Sequence, residues 1–402
     1  MNREFDLVLF GATGFTGRLV AGYIAATRYG RPGAASSEKP RWAIAGRSKE
    51  KLEALGLKVP VLVADILDRP AVDAIVKRTK VACTTAGPYA KYGGALVAAC
   101  AEAGTNYCDL TGEPQWMRRM IDQHHERARA TGAHIVHTCG YDSIPSDIGT
   151  WAVQQEFHTR FGRYASKVTA AFGETSGGLS GGTIASAMET AREADTDRDV
   201  RKLLGNPYGL DPEPSASRPP APDEKGISWE PHLKMFAIPF LMAQINTRVV
   251  RRAHALTGFP WGSDFVYREV MSTPGSARGL AMAAGYVGGM AGLAIAMKSP
   301  RLRGLLAKRA PQPGEGPSQE TRERGYWKVR YVAEGGGDVL RYQASDGADP
   351  GYGSTAKMLG ESALCLAFDQ LGAPGVTTPS AAMGQRLLDR LRRAGLTFEA
   401  AG

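Results

Sequence analysis

Short apolar runs alternate with segments of helical spacing through the first 148 residues of the chain. The first run, Leu7–Phe10, is long enough for a strand buried on both faces, and Arg18–Ile24 places apolar residues at helical spacing. Five more apolar runs, with helical segments between them, predict strands at 41–48, 59–65, 80–86, 106–110 and 134–139. Strands that alternate with helices in this way are typical of parallel βαβ units. The pattern therefore predicts an α/β domain with a doubly wound parallel sheet over residues 1–148.

The pattern changes after residue 148, where strands and helices no longer alternate regularly. The elements predicted there are a half-exposed strand, a helix, a long polar loop and the two strands of a hairpin, at 167–172, 183–194, 206–231, 327–333 and 338–344. An apolar-faced helix follows at 355–371. This second part is therefore predicted to be an α+β region, the natural place for a substrate site.

Three glycines follow the first predicted strand, where the first helix begins. Gly11 would permit a tight turn, Gly14 would let the backbone approach a pyrophosphate, and Gly17 would let the helix pack close to the strand. The start of the helix directs unpaired N–H groups at such an anion. Strand, glycine turn and helix together indicate a dinucleotide-binding Rossmann domain, with ordinary turn glycines as the alternative. The candidate cofactor-binding residues in this stretch are Gly11, Thr13, Gly14, Phe15, Thr16 and Gly17.

The amino-acid composition limits which binding partners and which cellular compartment are expected for the protein. The 402 residues carry a net charge of +9, which favours anionic partners, with a basic solubilising surface as the alternative. No basic run interleaved with aromatics suggests a nucleic-acid groove, and the histidines lack the spacing of a metal site, so neither partner is expected. The five cysteines show no CxxC spacing and are predicted to be buried, reduced thiols. The polar residues 1–6 lead directly into the first strand, so no signal peptide and a cytoplasmic location are expected.

The end of the second predicted strand indicates which dinucleotide is bound. An acidic residue there would bind the adenosine ribose, whereas an arginine accommodates a 2′-phosphate. The chain has Arg47 and Ser48 at this point and no acid, which favours NADP(H); a surface arginine is the alternative. Asp65, after the third strand, is a candidate acceptor for the adenine amine or, equally, a cap or turn residue.

Two loops after later strands carry the candidate catalytic residues. Ala86, Gly87 and Pro88 follow the fourth strand, where small residues let the backbone approach the nicotinamide ribose. Tyr89 and Tyr92 come next, and a tyrosine there could protonate a developing enolate; aromatic packing of the loop is the alternative.

The loop after the sixth strand is polar. Asp142 and Ser143 are candidates for orienting substrate or relaying a proton. Asp147 is predicted to cap the helix that follows.

An uncharged segment of Ala, Gly and Met spans Gly279–Met297. Its length could cross a bilayer, but Ala and Gly are only weakly hydrophobic. A small-residue helix in a dimer interface or a lipid-substrate tunnel is favoured, and peripheral membrane contact through 279–309 comes next. The basic residues that flank the segment are Arg278, Lys298, Arg301, Arg303, Lys308 and Arg309.

Several of these motifs together resemble the saccharopine dehydrogenase-like oxidoreductase family. The motifs that carry the resemblance are Gly11–Gly17, Ala45–Ser48, Gly87–Tyr89 with Tyr92-Gly93, Asp109–Pro114, Cys139–Pro145, Ser180–Thr183 and Asp349–Gly353. Within that family, the chain is similar to the trans-acting enoyl reductases of lipid and polyketide assembly. The resemblance implies a nucleotide domain at 1–148, an inserted α+β domain at 149–350 for substrate and oligomerisation, and a C-terminal segment, 351–402, whose helix returns to the first domain.

The resemblance also implies an activity. It favours an NADP(H)-dependent reductase that acts on the carbon–carbon double bond of an acyl or polyketide thioester, free or bound to a carrier protein, while the small-residue segment 279–297 favours a homodimer. Imine or ketone reduction of an amino-acid conjugate is a second hypothesis, although we find no arginine cluster for a dicarboxylic substrate in the second domain. A lipid-surface or scaffolding protein that retains nucleotide binding is a third.

Overall fold

Two seven-stranded sheets organise the chain in a computed structural model that describes residues 3–27, 39–176, 181–213, 218–298, 302 and 318–401. The first sheet is entirely parallel, in the order β13-β6-β5-β4-β1-β2-β3. Its strands are β1 Phe5–Phe10, β2 Trp42–Gly46, β3 Val61–Val63, β4 Thr79–Thr84, β5 Asn106–Cys108, β6 His134–Val136 and β13 Gly375–Thr377. The doubly wound sheet predicted from the sequence is confirmed.

The strand order of this sheet reverses between β1 and β4. Every residue of β1 is buried, because β1 pairs with β2 on one side and with β4 on the other, and helices cover both faces. In open parallel sheets, ligands bind outside the carboxyl ends of the strands at such a reversal. The residues that follow β1 and β4 therefore mark the expected cofactor crevice.

The second sheet is mixed, in the order β14-β12-β11-β7-β10-β9-β8. Its strands are β7 Lys167–Ser176, β8 Ser228–Glu230, β9 Met235–Ile238, β10 Val266–Pro274, β11 Tyr326–Gly335, β12 Asp338–Asp346 and β14 Thr397–Ala400. The predicted hairpin is present as the antiparallel pair β11 and β12. The predicted strand that starts at Lys167 is also present, and it continues to Ser176 between β11 and β10.

Helices cover both sheets. They are α1 Phe15–Ala26, α2 Lys49–Glu53, α3 Arg69–Val76, α4 Tyr89–Tyr92, α5 Gly94–Ala103, α6 Pro114–Thr131, α7 Ile144–Phe161, α8 Gly181–Thr196, α9 Arg198–Gly205, α10 Ala243–Leu256, α11 Ala277–Lys298, α12 Gln319–Glu323, α13 Thr355–Phe368 and α14 Pro379–Arg393. Ser180, part of a motif quoted above, lies outside the described residues, as do Arg301, Arg303, Lys308 and Arg309 of the basic segment.

The C-terminal segment contributes to both sheets. Helix α13 packs against α1, β4 and β5, and the Asn106 side chain donates a hydrogen bond to the Leu366 carbonyl. Strand β13 extends the first sheet, whereas β14 pairs with β12 of the second. A C-terminal helix thus returns to the first domain as predicted, while the boundaries at residues 148 and 350 stay predictions.

Three buried arginines of α10 hold the predicted loop 206–231 in place. Arg248 forms an ion pair with Asp223, and Arg251 and Arg252 donate to backbone carbonyls of residues 207, 221, 267, 210 and 376. The sequence pattern did not indicate this cluster, because α10 was not predicted. The guanidinium groups of this cluster bind Asp223 and backbone carbonyls, so they stabilise the loop and do not face a ligand site.

Helix α11 contains the uncharged segment singled out in the sequence. It packs against β9 and β10 near its start, but most of its side chains are exposed to solvent, including Met282 and Ile295. Within the described part of the chain, no helix has the length and hydropathy needed to cross a membrane. This exposure does not fit the wall of a lipid-substrate tunnel within the chain, whereas a dimer interface or a membrane contact stays a prediction.

Candidate active site

The glycine turn after β1 forms a cradle that side chains would fill. Gly11 has a φ of +81°, which favours glycine, and a Cβ there would lie 2.8 Å from Thr85 Oγ1. A Cβ on Gly17 would lie 2.1 Å from the Gly11 carbonyl oxygen, so α1 packs against the turn with no room for a side chain at position 17. The Thr85 hydroxyl donates to that same carbonyl at 3.1 Å and fixes the turn from β4. These contacts fit the close approach that a pyrophosphate needs.

The first turn of α1 is open to an anion. Gly14 occupies the N-cap position, no side chain of the described residues caps it, and the first turn carries no acid. Thr13 and Thr16 are partly buried in the same turn. Phe15 packs edge-on against Tyr352, with ring centroids 4.7 Å apart. The N–H groups of this turn and the partial positive charge of the helix are therefore available to a phosphate.

The residues predicted to select the cofactor lie at the ends of β2 and β3. Arg47 is exposed directly after β2. The Ser48 hydroxyl accepts a hydrogen bond from Lys51 N and caps α2, which leaves its own hydrogen free to be donated. The Asp65 carboxylate accepts from Leu67 N at 3.0 Å, the geometry of a turn residue, and the residue is exposed. This contact fits the turn-residue alternative, and a contact of Asp65 with the adenine stays a prediction.

The loop after β4 passes beside the glycine turn. Ala86 N donates to Thr84 Oγ1, Gly87 is exposed, and the Gly87–Pro88 peptide is cis. The Glu113 carboxylate, which is fully buried, accepts from Tyr89 N and Ala90 N and so caps the start of α4. Burial raises the pKa of Glu113. The loop is therefore held rigidly beside the glycine turn.

Tyr89 does not reach this crevice, which contradicts its prediction as a catalytic residue. Its side chain is 5% exposed and packs against Trp116. Its hydroxyl donates to the Thr84 carbonyl at 3.2 Å and accepts from Leu110 N at 3.1 Å. Burial raises the pKa of Tyr89 far above its ordinary value. Tyr89 therefore braces the loop. Tyr92 lies on the exposed side of the same short helix, 37% exposed.

Ser143 lies at the start of α7 and is fully buried. Its hydroxyl donates to Asn246 Oδ1 at 2.8 Å, and Asn246 Nδ2 donates to Glu269 Oε1 at 2.7 Å. Burial raises the pKa of Glu269 to about 7. The Ser143 hydrogen is thus engaged inside the protein, and the side chain is not exposed. Its role in orienting substrate or relaying a proton stays a prediction. Asp142 is half-buried beside it.

Asp147 caps a helix, but not the one predicted. Its carboxylate accepts from the backbone N–H and the hydroxyl of Ser380, at 2.7 and 2.6 Å, and so satisfies the first turn of α14. Burial raises the pKa of Asp147 to about 7. The partner lies more than 230 residues away in the chain, which the sequence could not indicate.

Aromatic side chains that the sequence analysis did not single out meet where the loop after β6 faces the second sheet. Tyr141 packs edge-on against Trp327 of β11 and Phe172 of β7, and Phe172 stacks on Phe240. Tyr141 stands in a quoted motif, but its ring partners come from two distant strands, β7 and β11. These residues give the carboxyl edge of the first sheet an apolar wall, which we call the aromatic wall.

A glycine cradle at the start of a helix, a basic residue after β2 and an apolar wall beyond β4 and β6 define a dinucleotide-dependent oxidoreductase of the doubly wound class. The family model described as the saccharopine dehydrogenase NADP-binding domain matches residues 7–136. The chain belongs to the saccharopine dehydrogenase-like oxidoreductase family, and it is an NADP-dependent enzyme.

Relatives match over almost the whole chain. A Mycobacterium tuberculosis protein named as a candidate trans-acting enoyl reductase is 42% identical over 99% of this chain and 97% of its own length. The trans-acting enoyl reductase of Mycobacterium ulcerans is 38% identical over 99% and 98%. The structure of apo saccharopine dehydrogenase (L-Glu forming) from Saccharomyces cerevisiae covers 98% of this chain and 99% of its own at a TM-score of 0.52 and 12% identity, a likeness of fold alone.

Proposed function

We propose that this enzyme reduces the carbon–carbon double bond of an acyl or polyketide thioester, free or carrier-bound, as a trans-acting enoyl reductase in lipid biosynthesis. The observation that carries the proposal is the aromatic wall at the carboxyl edge of the first sheet, because it places apolar rings rather than charged side chains next to the loop after β6. The names of the full-length relatives support the same reaction.

The proposed cofactor contacts follow from the geometry above. Backbone groups of Gly11, Thr13, Gly14, Phe15, Thr16 and Gly17 hold the pyrophosphate, Arg47 and Ser48 hold the 2′-phosphate, and Ala86, Gly87 and Pro88 lie against the nicotinamide ribose. Asp65 is retained only as an acceptor for the adenine through its exposed oxygen. Asp142 and Ser143 are proposed to orient the ligand, and bound NADPH supplies the hydride.

The direct test is NADPH oxidation with enoyl thioesters of increasing chain length, both free and bound to a carrier protein. We expect turnover that improves with chain length, because each buried CH₂ adds roughly 0.8 kcal/mol of apolar contact. NADPH that is bound but consumed with none of these substrates would contradict the proposal.

Imine or ketone reduction of an amino-acid conjugate is less well supported. A dicarboxylic substrate needs cations at the site, and the arginine cluster of the second domain, Arg248, Arg251 and Arg252, is buried in contacts with Asp223 and backbone carbonyls. The proposed site is walled by aromatic rings instead. Reductive amination assays with keto acids are expected to show no turnover.

Arg47 tests the proposed recognition of the 2′-phosphate. Arg47→Ala is expected to weaken NADPH binding by about 1.5–3 kcal/mol, the range for hydrogen bonds to charged groups, or roughly ten- to a hundredfold. NADH binding should barely change, because NADH lacks this phosphate. Titration of both cofactors measures the effect, and Lys58→Ala, which removes another exposed cation nearby in sequence, is the control. Equal weakening of both cofactors would show that Arg47 supports the fold or the pyrophosphate instead.

We also propose that α11 docks on an anionic membrane surface. Met282 and Ile295 are 52% and 68% exposed, and a Cβ at Gly288 or Gly292 would meet no atom within 4 Å. Basic residues flank the helix at both ends in the sequence, which complements anionic lipid headgroups. This contact would bring the site close to lipid substrates. Lipid-surface binding without catalysis, the third hypothesis, predicts the same contact but no turnover.

The cytoplasmic location remains a proposal, favoured by five buried free cysteines.

Vesicle sedimentation tests this docking. The enzyme is expected to sediment with vesicles that contain phosphatidylglycerol and less with purely zwitterionic vesicles. The double change Leu293→Glu, Ile295→Glu should reduce binding, whereas Leu67→Glu, at an equally exposed apolar residue of the first domain, should not. If the double variant instead converts a dimer into a monomer without changing sedimentation, a second copy covers α11, as the homodimer expectation has it.

A further inference from the structure

Tyr141 occupies the position from which a proton donor could serve the proposed site. It follows β6 at the carboxyl edge of the first sheet, and its backbone N–H donates to Thr355 Oγ1 at 3.1 Å, which fixes the loop against α13. Its ring crosses from this edge to the second sheet. The residue therefore lies between the two sheets, where ligands of open parallel sheets bind.

The Tyr141 ring is held rigidly. Its centroid lies 5.1 Å from that of Trp327 and 6.4 Å from that of Phe172, both in edge-to-face arrangement. Trp327 is itself fixed, because its Nε1 donates to Ser354 Oγ at 2.8 Å and Ser354 donates to Asp346 at 2.7 Å. A donor carried on such a rigid platform is already oriented before substrate binds.

The hydroxyl of Tyr141 differs from those of the buried tyrosines around it. Tyr89 donates to Thr84 O, Tyr267 to Glu269 and Tyr331 to Pro145 O. Tyr141 makes no such hydrogen bond with any residue that the structure describes. Burial, with the negative charges of Asp142 and Glu269, raises the pKa of Tyr141, and the phenol is therefore protonated at neutral pH.

We propose that the Tyr141 hydroxyl is the proton donor of the enoyl reduction, an assignment that rests on the proposed function. The same surroundings define the substrate class: Phe172 stacks on Phe240 at 4.6 Å, and the partly buried Leu110 and Met271 pack against the same apolar cluster. This apolar surface fits a hydrophobic acyl chain whose thioester end lies at the Tyr141 hydroxyl.

The step balances with NADPH and one proton from solvent. NADPH supplies a hydride, with its electron pair, to the β-carbon. The π electrons of the double bond move towards the thioester as an enolate. They then form the new C–H bond at the α-carbon with the Tyr141 hydroxyl proton. The tyrosinate recovers its proton from water.

The variant Tyr141→Phe removes this hydroxyl and keeps the ring that packs on Trp327 and Phe172. With an enoyl thioester, we expect kcat to fall by roughly 10²–10⁴, the usual contribution of a positioned acid. NADPH affinity and the thermal midpoint should stay unchanged. In deuterium oxide, the wild type should place deuterium on one face of the α-carbon, and the residual product of Tyr141→Phe should be scrambled. Tyr164→Phe, at a partly buried tyrosine stacked on His158 at the end of α7, is the matched control.

A binding measurement without turnover gives an independent readout. Acetoacetyl thioester, added without NADPH, offers its enolate to the same donor, and Tyr141→Phe should weaken its binding roughly ten- to a hundredfold. An unchanged kcat in Tyr141→Phe, or the large loss in Tyr92→Phe instead, would overturn the assignment and leave the proposed function standing. A wild-type enzyme that binds NADPH but reduces no enoyl thioester would overturn the proposed function, and the assignment with it.

Discussion

Replacing Arg390 by alanine is expected to lower the free energy of unfolding by about 3–5 kcal/mol, the cost of removing one partner from a buried ion pair. The Arg390 side chain is fully buried in α14, where its Nε lies 2.5 Å from Asp369 Oδ2 and its Nη1 lies 3.4 Å from Glu361 Oε2. Tyr23 of α1 donates to the other oxygen of Glu361 at 2.6 Å. Without the guanidinium, two buried carboxylates lose the cation that compensates them.

Urea unfolding monitored by circular dichroism measures this effect. Arg386→Ala changes an exposed arginine of the same helix and should shift stability by no more than about 0.5 kcal/mol. The triple change Arg390→Met, Glu361→Gln, Asp369→Asn removes all three charges together and should cost less than Arg390→Ala, because no charge is left buried alone. If Arg390→Ala cost as little as Arg386→Ala, the network would not join α1, α13 and α14 as described.

Gly17→Ala is expected to abolish measurable NADPH binding. The added Cβ would lie 2.1 Å from the Gly11 carbonyl oxygen and 2.9 Å from Thr85 Oγ1. Because the nearest atom belongs to the backbone, either α1 or the turn must move, and the N–H groups aimed at the phosphates move with it. Overpacking of this kind also costs roughly 1–3 kcal/mol of stability.

Gly22 supplies the matched control for this change. It lies one and a half turns further along α1, and a Cβ there would meet no atom within 4 Å. Gly22→Ala should therefore leave NADPH binding intact and raise stability slightly, by about 0.5–1 kcal/mol, because alanine is the better helix former. Fluorescence titration with NADPH and a thermal melt of both variants separate the two effects. Retained NADPH affinity in Gly17→Ala would remove the cradle from the cofactor site.

The sequence by itself determined the local and periodic features of this protein. Strand β1 is a run of apolar residues, and the glycines that follow it permit the tight turn and close helix packing that residues with a Cβ disfavour, so the strand, the turn and the start of α1 could be predicted together. The alternation of strands and helices then predicted the parallel sheet, since such segments pair only through crossovers. Arg47 could be placed because its position relative to β2 depends on local order alone.

Only the tertiary structure decided which side chains meet across distant segments. Tyr89 and Tyr92 stand three residues apart in the sequence, yet one is buried under Trp116 and the other faces solvent. Asp147 has the sequence position of a local cap, but its partner is Ser380 in α14. Such choices depend on burial and on which groups lose water together, and neither property is encoded in the spacing of residues along one element.

The same reason explains why the sequence indicates Asp142 and Ser143 as candidate site residues of this loop and does not indicate Tyr141. Its motif placed the loop after β6 correctly, but the rings that hold Tyr141 belong to β7 and β11, about 30 and 190 residues further along the chain. Hydrophobic patterning predicts that those residues are buried and leaves open what they are buried against. Packing of the second sheet on the carboxyl edge of the first supplies that information, because only there do the separate strands become one apolar wall.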